Sequence, residues 1–222
     1  MIDILVEPQP IIAIALERPT TLDRTVDDAE RILLLALYGW LGIRLIHGYQ
    51  TDGRTLNLLL LPSEGLVIFF MMIRRRASRI SRHPGEWLVA IIATCAPMLV
   101  GLGSQVSLIP PIIGATLMMI GFLLQLHAKV SLGRSFGLVP ANRGIKLSGP
   151  YRFVRHPMYS GYLLGHLGFL SMNASLWNLV VYAFCYATQA VRLMAEERFL
   201  TIDPLYREYK TRVRYWFIPG MF

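Results

Sequence analysis

The chain has 222 residues, 54% of them apolar or aromatic and only 16% charged, with a mean hydropathy of +0.47 and a net charge of +8. Soluble domains carry about 25% charged residues, so the composition excludes an ordinary soluble domain and points to a bilayer. The basic residues stand in short blocks between apolar runs, which favours membrane topology over nucleic-acid binding. Cys95 and Cys185 both lie inside apolar runs, which excludes a disulfide framework and argues against a Cys-based metal site.

Residues 1–28 mix apolar side chains with Glu7, Glu17, Asp23, Asp27 and Asp28, and Pro8, Pro10 and Pro19 interrupt helical periodicity. They read as an extended or interfacial arm. The first ten residues carry Asp3 and Glu7 and no basic residue, which does not fit a signal peptide.

A spanning helix needs about 20 mostly apolar residues. Six stretches qualify or nearly so: 29–47, 56–73, 87–104, 108–126, 159–172 and 174–192. The second carries Glu64, an acid that needs a partner in a membrane. The fifth is short and is expected to form a tight hairpin with the sixth, turning at Met172, Asn173 and Ala174. Five spans with a re-entrant piece is the competing count. The expected class is therefore an all-α, polytopic membrane bundle of five or six spans. Residues 29–126 form its first four helices and 127–222 form a second region.

The basic residues set the orientation. Arg74, Arg75, Arg76, Arg79 and Arg82 fill the loop after the second span. Lys129, Arg134, Arg143, Lys146, Arg152 and Arg155 fill 127–158, and Arg192 to Arg214 fill the tail. With six spans every block faces one side. That side should be the cytoplasm (the inner face of the cell membrane in a bacterium), with both termini and any polar site there.

Three constellations in this polar half carry chemistry. Ser131-Leu132-Gly133-Arg134-Ser135-Phe136 follows the fourth span; Gly133 and Gly137 permit a sharp exit or a close backbone approach. A helix cap with a snorkelling arginine accounts for it equally well. Gly149-Pro150-Tyr151 and Arg155-His156-Pro157-Met158-Tyr159-Ser160-Gly161 place a turn before a helix start, with Pro157 in the first turn. Free N–H groups at such a start attract polar ligands, although an interfacial aromatic belt has the same composition. Arg192, Glu196 and Glu197 close the sixth span. Arg192 and Glu196 share a helix face, either as an ordinary ion pair or as an anion- and cation-binding couple.

Taken in order, Leu132-Gly133-Arg134-Ser135-Phe136, Gly149-Pro150-Tyr151, Arg155-His156-Pro157-Met158-Tyr159-Ser160-Gly161, Glu196-Glu197-Arg198-Phe199-Leu200 and Tyr206 to Tyr209 resemble the isoprenylcysteine carboxyl methyltransferase family and the related phospholipid N-methyltransferases. The resemblance covers about 127–222. It implies methyl transfer from S-adenosylmethionine, with a lipidic or small hydrophobic acceptor, membrane lipids as surroundings, and neither nucleic acid nor metal as partner. It implies cofactor contacts from Arg143, Gly144, Ile145, Lys146, Tyr151, His156, Pro157, Met158, Tyr159, Glu196 and Glu197. Arg192 matches the arginine that holds the substrate, so Arg192 and Glu196 are the expected catalytic pair. The methyl donor is a sulfonium, which an aromatic face or a carboxylate stabilises. A carboxylate acceptor is already ionised at neutral pH, and Arg192 suits it. The alternative class is a sterol-reductase-like membrane enzyme. Its NADPH would need a basic patch for a 2′-phosphate, which Arg134, Arg143 and Arg152 would supply.

Overall fold

The computed structural model describes residues 19–52, 56–101 and 106–220, and for 48, 52 and 56–64 the backbone alone. Most of the arm 1–28 and the side chain of Glu64 therefore lie outside the described residues. The described chain is mostly helical. Its long helices are α1 (Thr21–Asp52), α2 (Leu56–Ile73), α3 (Pro84–Cys95), α4 (Pro111–Leu132), α5 (Pro157–Met172) and α6 (Leu176–Leu200), followed by a short α7 (Pro204–Arg212). Among the described residues two helical stretches, Thr21–Thr51 and Pro111–Ser135, are long and apolar enough to cross a membrane. Large apolar side chains such as Ile43, Leu88, Ile112 and Val180 point outward on these and neighbouring helices.

Several boundaries differ from the sequence reading, each for a local reason. Helix α1 starts at Thr21 rather than Ala29 because Thr20 and Asp23 cap it reciprocally. The Thr20 hydroxyl donates to Asp23 at 2.7 Å, and the Asp23 N–H donates back at 3.1 Å. At 32 residues it is about 48 Å long, well beyond the hydrocarbon thickness, so its acidic first turns project from the apolar part. Helix α3 stops at Cys95 and tightens into a 3-10 turn over Ala96–Leu99, with Pro97 unable to continue the ladder. Helices α4 and α6 run six and eight residues past their expected ends, so Lys129, Ser131, Glu196 and Glu197 are helical.

The turn at 173–175 reverses the chain between α5 and α6 as expected, and Asn178 ties it by donating to the Asn173 carbonyl at 2.8 Å. Helix α5 nevertheless packs chiefly on α4. Gly114 and Gly121 of α4 face Gly161, Gly165 and Gly168 of α5. A Cβ at Gly121 would lie 2.5 Å from the Gly165 nitrogen, and one at Gly168 would lie 2.6 Å from the Gly114 oxygen. Small residues let two backbones touch, the usual route to helix association in lipid. Helix α6 packs on α3.

One end of the bundle gathers the start of α1, the end of α2, the end of α4, the start of α5 and the end of α6. There the loop after α2 forms a two-residue strand β1 (Arg79–Ile80) that pairs antiparallel with β2 (Ala141–Asn142). Below this ribbon sits the main core, with Leu34, Val67, Met71, Ile80, Phe136 and Leu138 buried together. The neighbouring Met72, about 100° further round the helix, points outward.

Candidate functional site

A cleft of about 650 Å³, measured to its open mouth, lies at this end of the bundle. Four segments line it, three of them close in sequence and the fourth about forty residues further on. The loop after α4 supplies Val139 and Arg143 to Lys146, and the turn at Gly149–Arg152 supplies Tyr151. The start of α5 supplies His156, and the end of α6 with α7 supplies Glu196, Tyr206 and Tyr209.

The loop leaves α4 through Gly133, whose φ of +51° turns the chain where most side chains would be strained. Gly137 is a close-approach position, because a Cβ there would collide with the Arg143 guanidinium. Tyr151 is buried and its hydroxyl is pushed up by burial and by the charge of Glu196, so it remains a neutral donor. Its carbonyl accepts from the Tyr209 hydroxyl at 2.7 Å, which fixes α7 against the turn.

The two adjacent acids of α6 have different surroundings. Glu196 lines the cleft and forms no ion pair among the described residues, not even with Arg192 one turn away. Glu197 points the other way into a buried cluster. It pairs with Nε of Arg155 at 3.0 Å, Nε2 of His156 at 2.8 Å and Nζ of Lys210 at 3.1 Å, and accepts from the Tyr206 hydroxyl at 2.8 Å. Burial opposes its ionisation. The His156 and Tyr206 hydrogen bonds and the Arg155 charge outweigh that and hold the carboxyl down at about 2. An ionised carboxylate only accepts hydrogen bonds, so Nε2 of His156 carries the proton toward it.

Of the expected contacts, Arg143, Gly144, Ile145, Lys146, Tyr151, His156 and Glu196 come together on the cleft. Arg143 contributes its wall position but not a free charge, because its guanidinium pairs with Asp27 and Glu30. Pro157, Met158 and Glu197 sit behind the lining. Tyr159 lies instead on a second, apolar cavity, about 750 Å³ measured to its open mouth, with Tyr186, Gln189, Leu193, Trp216 and Phe217. Arg192 lines neither cavity; it stands on α6 three residues after Gln189, which lines the second, and four before Glu196, which lines the first. Its guanidinium donates to the Leu138 carbonyl at 2.9 Å.

The sequence pattern carries no mention of Val139 or Glu30, and Arg155 enters it only as part of a motif. Tyr206 and Tyr209 were quoted only as part of a pattern. The available signal was Asp203-Pro204, a cap and first-turn pair that starts α7; the Asp203 carboxylate accepts from the Leu205 N–H at 2.9 Å.

Comparison with known proteins bears on this half of the chain. The family model for phospholipid methyltransferase matches residues 109–206. The match begins earlier than the motif pattern, taking in the whole of α4, and stops within α7; it spans somewhat less than half the chain. It supports a membrane methyltransferase, in keeping with the apolar helices, and such enzymes generally use S-adenosylmethionine. No curated protein matches the chain.

Of the three arginines expected to supply a reductase's basic patch, only Arg143 lines the cleft. Arg143 is paired with acids, Arg134 donates to the Ile73 carbonyl, and Arg152 lies over Phe153; neither Arg134 nor Arg152 lines the cleft.

Proposed function

We propose that this chain is an integral membrane S-adenosylmethionine-dependent methyltransferase acting on a lipidic or small hydrophobic acceptor, with a carboxylate as nucleophile, as in isoprenylcysteine carboxyl methylation. One observation carries the reading. Segments that match a methyltransferase pattern line one cleft together, and an acid without an ion pair among the described residues, Glu196, shares that lining with a neutral phenol, Tyr151.

The residues fit the group. S-adenosylmethionine brings a positive sulfonium whose methyl passes in line to a nucleophile. Glu196 and the Tyr151 ring are the cation-stabilising groups on the cleft. Lys146, without an ion pair among the described residues, is placed for the cofactor's carboxylate. His156, its Nε2 held by Glu197, offers its remaining edge to the cleft as a fixed polar contact. Arg192 is placed to orient the acceptor's carboxylate. It stands on α6 between Gln189 of the apolar cavity and Glu196 of the cleft, and that cavity suits an apolar tail. No strong base is required for an acceptor already ionised. Catalysis then comes from positioning and exclusion of water. A protonated amine at the same place would be repelled by Arg192.

In this reading the cleft opens at the cytoplasmic face, an orientation supported by the basic loops that converge at this end of the bundle. Calorimetry of detergent-purified protein with S-adenosylmethionine, S-adenosylhomocysteine and NADPH tests the reading. Micromolar binding of the first two, lost in Glu196→Ala, is the expected result. Binding of NADPH alone would move the chain to the reductase class.

A further inference from the structure

We propose that Asp27 and Glu30 of α1, a helix outside the residues that the family model matches, are positioning residues for the methyl-transfer cleft. The inference rests on the function proposed above.

Both acids are almost fully buried, Glu30 at 0% exposure and Asp27 at 3%, and so are Arg74 and Arg143 at 5% each. The four form a closed, formally neutral quartet. Asp27 Oδ1 meets Arg74 at 3.0 Å and Arg143 at 2.8 Å; Glu30 Oε2 meets Arg74 at 2.8 Å and also pairs with Arg143. A buried charge without a partner is expensive, so loss of one member leaves another uncompensated.

Docking of α1 alone would need no more than ion pairs. The same helix already has one near its start, where Arg82 meets Asp23 at 2.7 Å on a partly exposed surface. Glu30 does something different with its other oxygen. Oε1 accepts from two successive backbone amides of the cleft loop, Leu138 N at 2.6 Å and Val139 N at 3.0 Å. Val139 lines the cleft. The carbonyl of Leu138 accepts from Arg192. One residue of the loop is thus held from α1 at its N–H and from α6 at its C=O. Five residues further on, Arg143 fixes the wall that leads to Lys146, and the Ser135 hydroxyl donates to the Arg143 carbonyl at 3.0 Å. A shift of the Glu30 carboxylate therefore moves the cofactor wall and the substrate arginine together.

The test separates the amide contacts from the charge. In an Arg74→Met background, Glu30→Gln and Glu30→Ala both leave Asp27 and Arg143 as a neutral pair, but only glutamine keeps an acceptor for the two amides. S-adenosylmethionine binding by calorimetry and amide exchange at Leu138 and Val139 are measured on the full chain, with Asp23→Asn as a control for loosened docking. The glutamine pair and Asp23→Asn should bind within about threefold of wild type, and the alanine pair at least about tenfold more weakly, since small misplacements at a reacting centre have large effects. Fast exchange at 138 and 139 should accompany the alanine pair only. Equal binding by both folded pairs would overturn the proposal and leave the acids as docking groups.

Should the alanine pair fail to fold, Asp27→Asn carries the test. It leaves the Glu30 hydrogen bonds intact and removes one carboxylate from Arg143; weakened binding supports the proposal, and wild-type binding overturns it. If wild-type protein binds no S-adenosylmethionine, the functional reading fails by itself. The exchange rates then decide the positioning claim alone: slow in the glutamine pair and fast in the alanine pair supports it, and equal rates overturn it.

Discussion

Nε2 of His156 stands 2.8 Å from Oε1 of Glu197, joining the start of α5 to the last turns of α6 across 41 residues of sequence. The contact turns a histidine at a helix start into a fixed wall of the cleft. Glu197→Gln should therefore destabilise the protein by about 3–5 kcal/mol, because Arg155 is left buried without its counterion. His156→Ala should leave the fold largely intact and weaken S-adenosylmethionine binding. Thermal unfolding in detergent and calorimetry separate the two. A double variant close to Glu197→Gln alone in both measurements would show that the residues act as one unit.

The same carboxylate predicts an acid limit. Its folded pKa, about 2, lies below the unfolded value, so the stability it contributes is present above that unfolded value, about 4.3, and is lost as pH falls toward 2. The contribution is on the order of 3 kcal/mol. Unfolding followed from pH 6 to pH 3 should show the advantage of wild type over Glu197→Gln shrinking below about pH 4. A constant difference over that range would place the acid response elsewhere.

Arg192 tests the acceptor class. Arg192→Ala should lower turnover of carboxylate acceptors by about a hundredfold, and Arg192→Lys should recover part of it, since a lysine keeps the charge but not the two-pronged geometry. Turnover is read by transfer of labelled methyl to candidate lipidic acids and amines. Unchanged turnover of every accepted substrate would remove Arg192 from the site.

The glycine seam between α4 and α5 bears on stability and not on chemistry. Gly121→Val should cost about 3 kcal/mol or more, because its Cβ meets backbone atoms of α5 that cannot move aside as a side chain end can. Gly39→Ala on α1, where a Cβ meets nothing within 4 Å, should be neutral or mildly stabilising. Thermal melts of the two variants in the same detergent make the comparison.

Much was legible from local pattern. The helical class follows from long apolar runs, and the start of α5 at Pro157 follows from a proline that tolerates only a first turn. The association of Arg143 to Lys146, Tyr151, His156 and Glu196 with one cleft was legible only because their order resembles a known pattern. Helix ends were less legible. Polar residues such as Lys129 and Glu197 look like the end of a span in hydropathy, yet a helix that leaves the apolar layer continues as long as its backbone and side chains find partners.

What the sequence alone determined is the bundle's composition, its helix order and the gathering of basic loops at one end, since burial of apolar surface and avoidance of charge in a bilayer are properties of each segment. What the tertiary structure decided is the use of individual charges. Arg74 and Arg82 read as topological markers and prove to be partners of Asp27, Glu30 and Asp23. Two neighbouring acids, Glu196 and Glu197, part into a cleft-facing group and a buried hub, because adjacent helical positions lie about 100° apart and only one faces His156. Such assignments depend on what lies across from a side chain, and that is set by packing between segments more than a hundred residues apart, as Glu30 and Leu138 are.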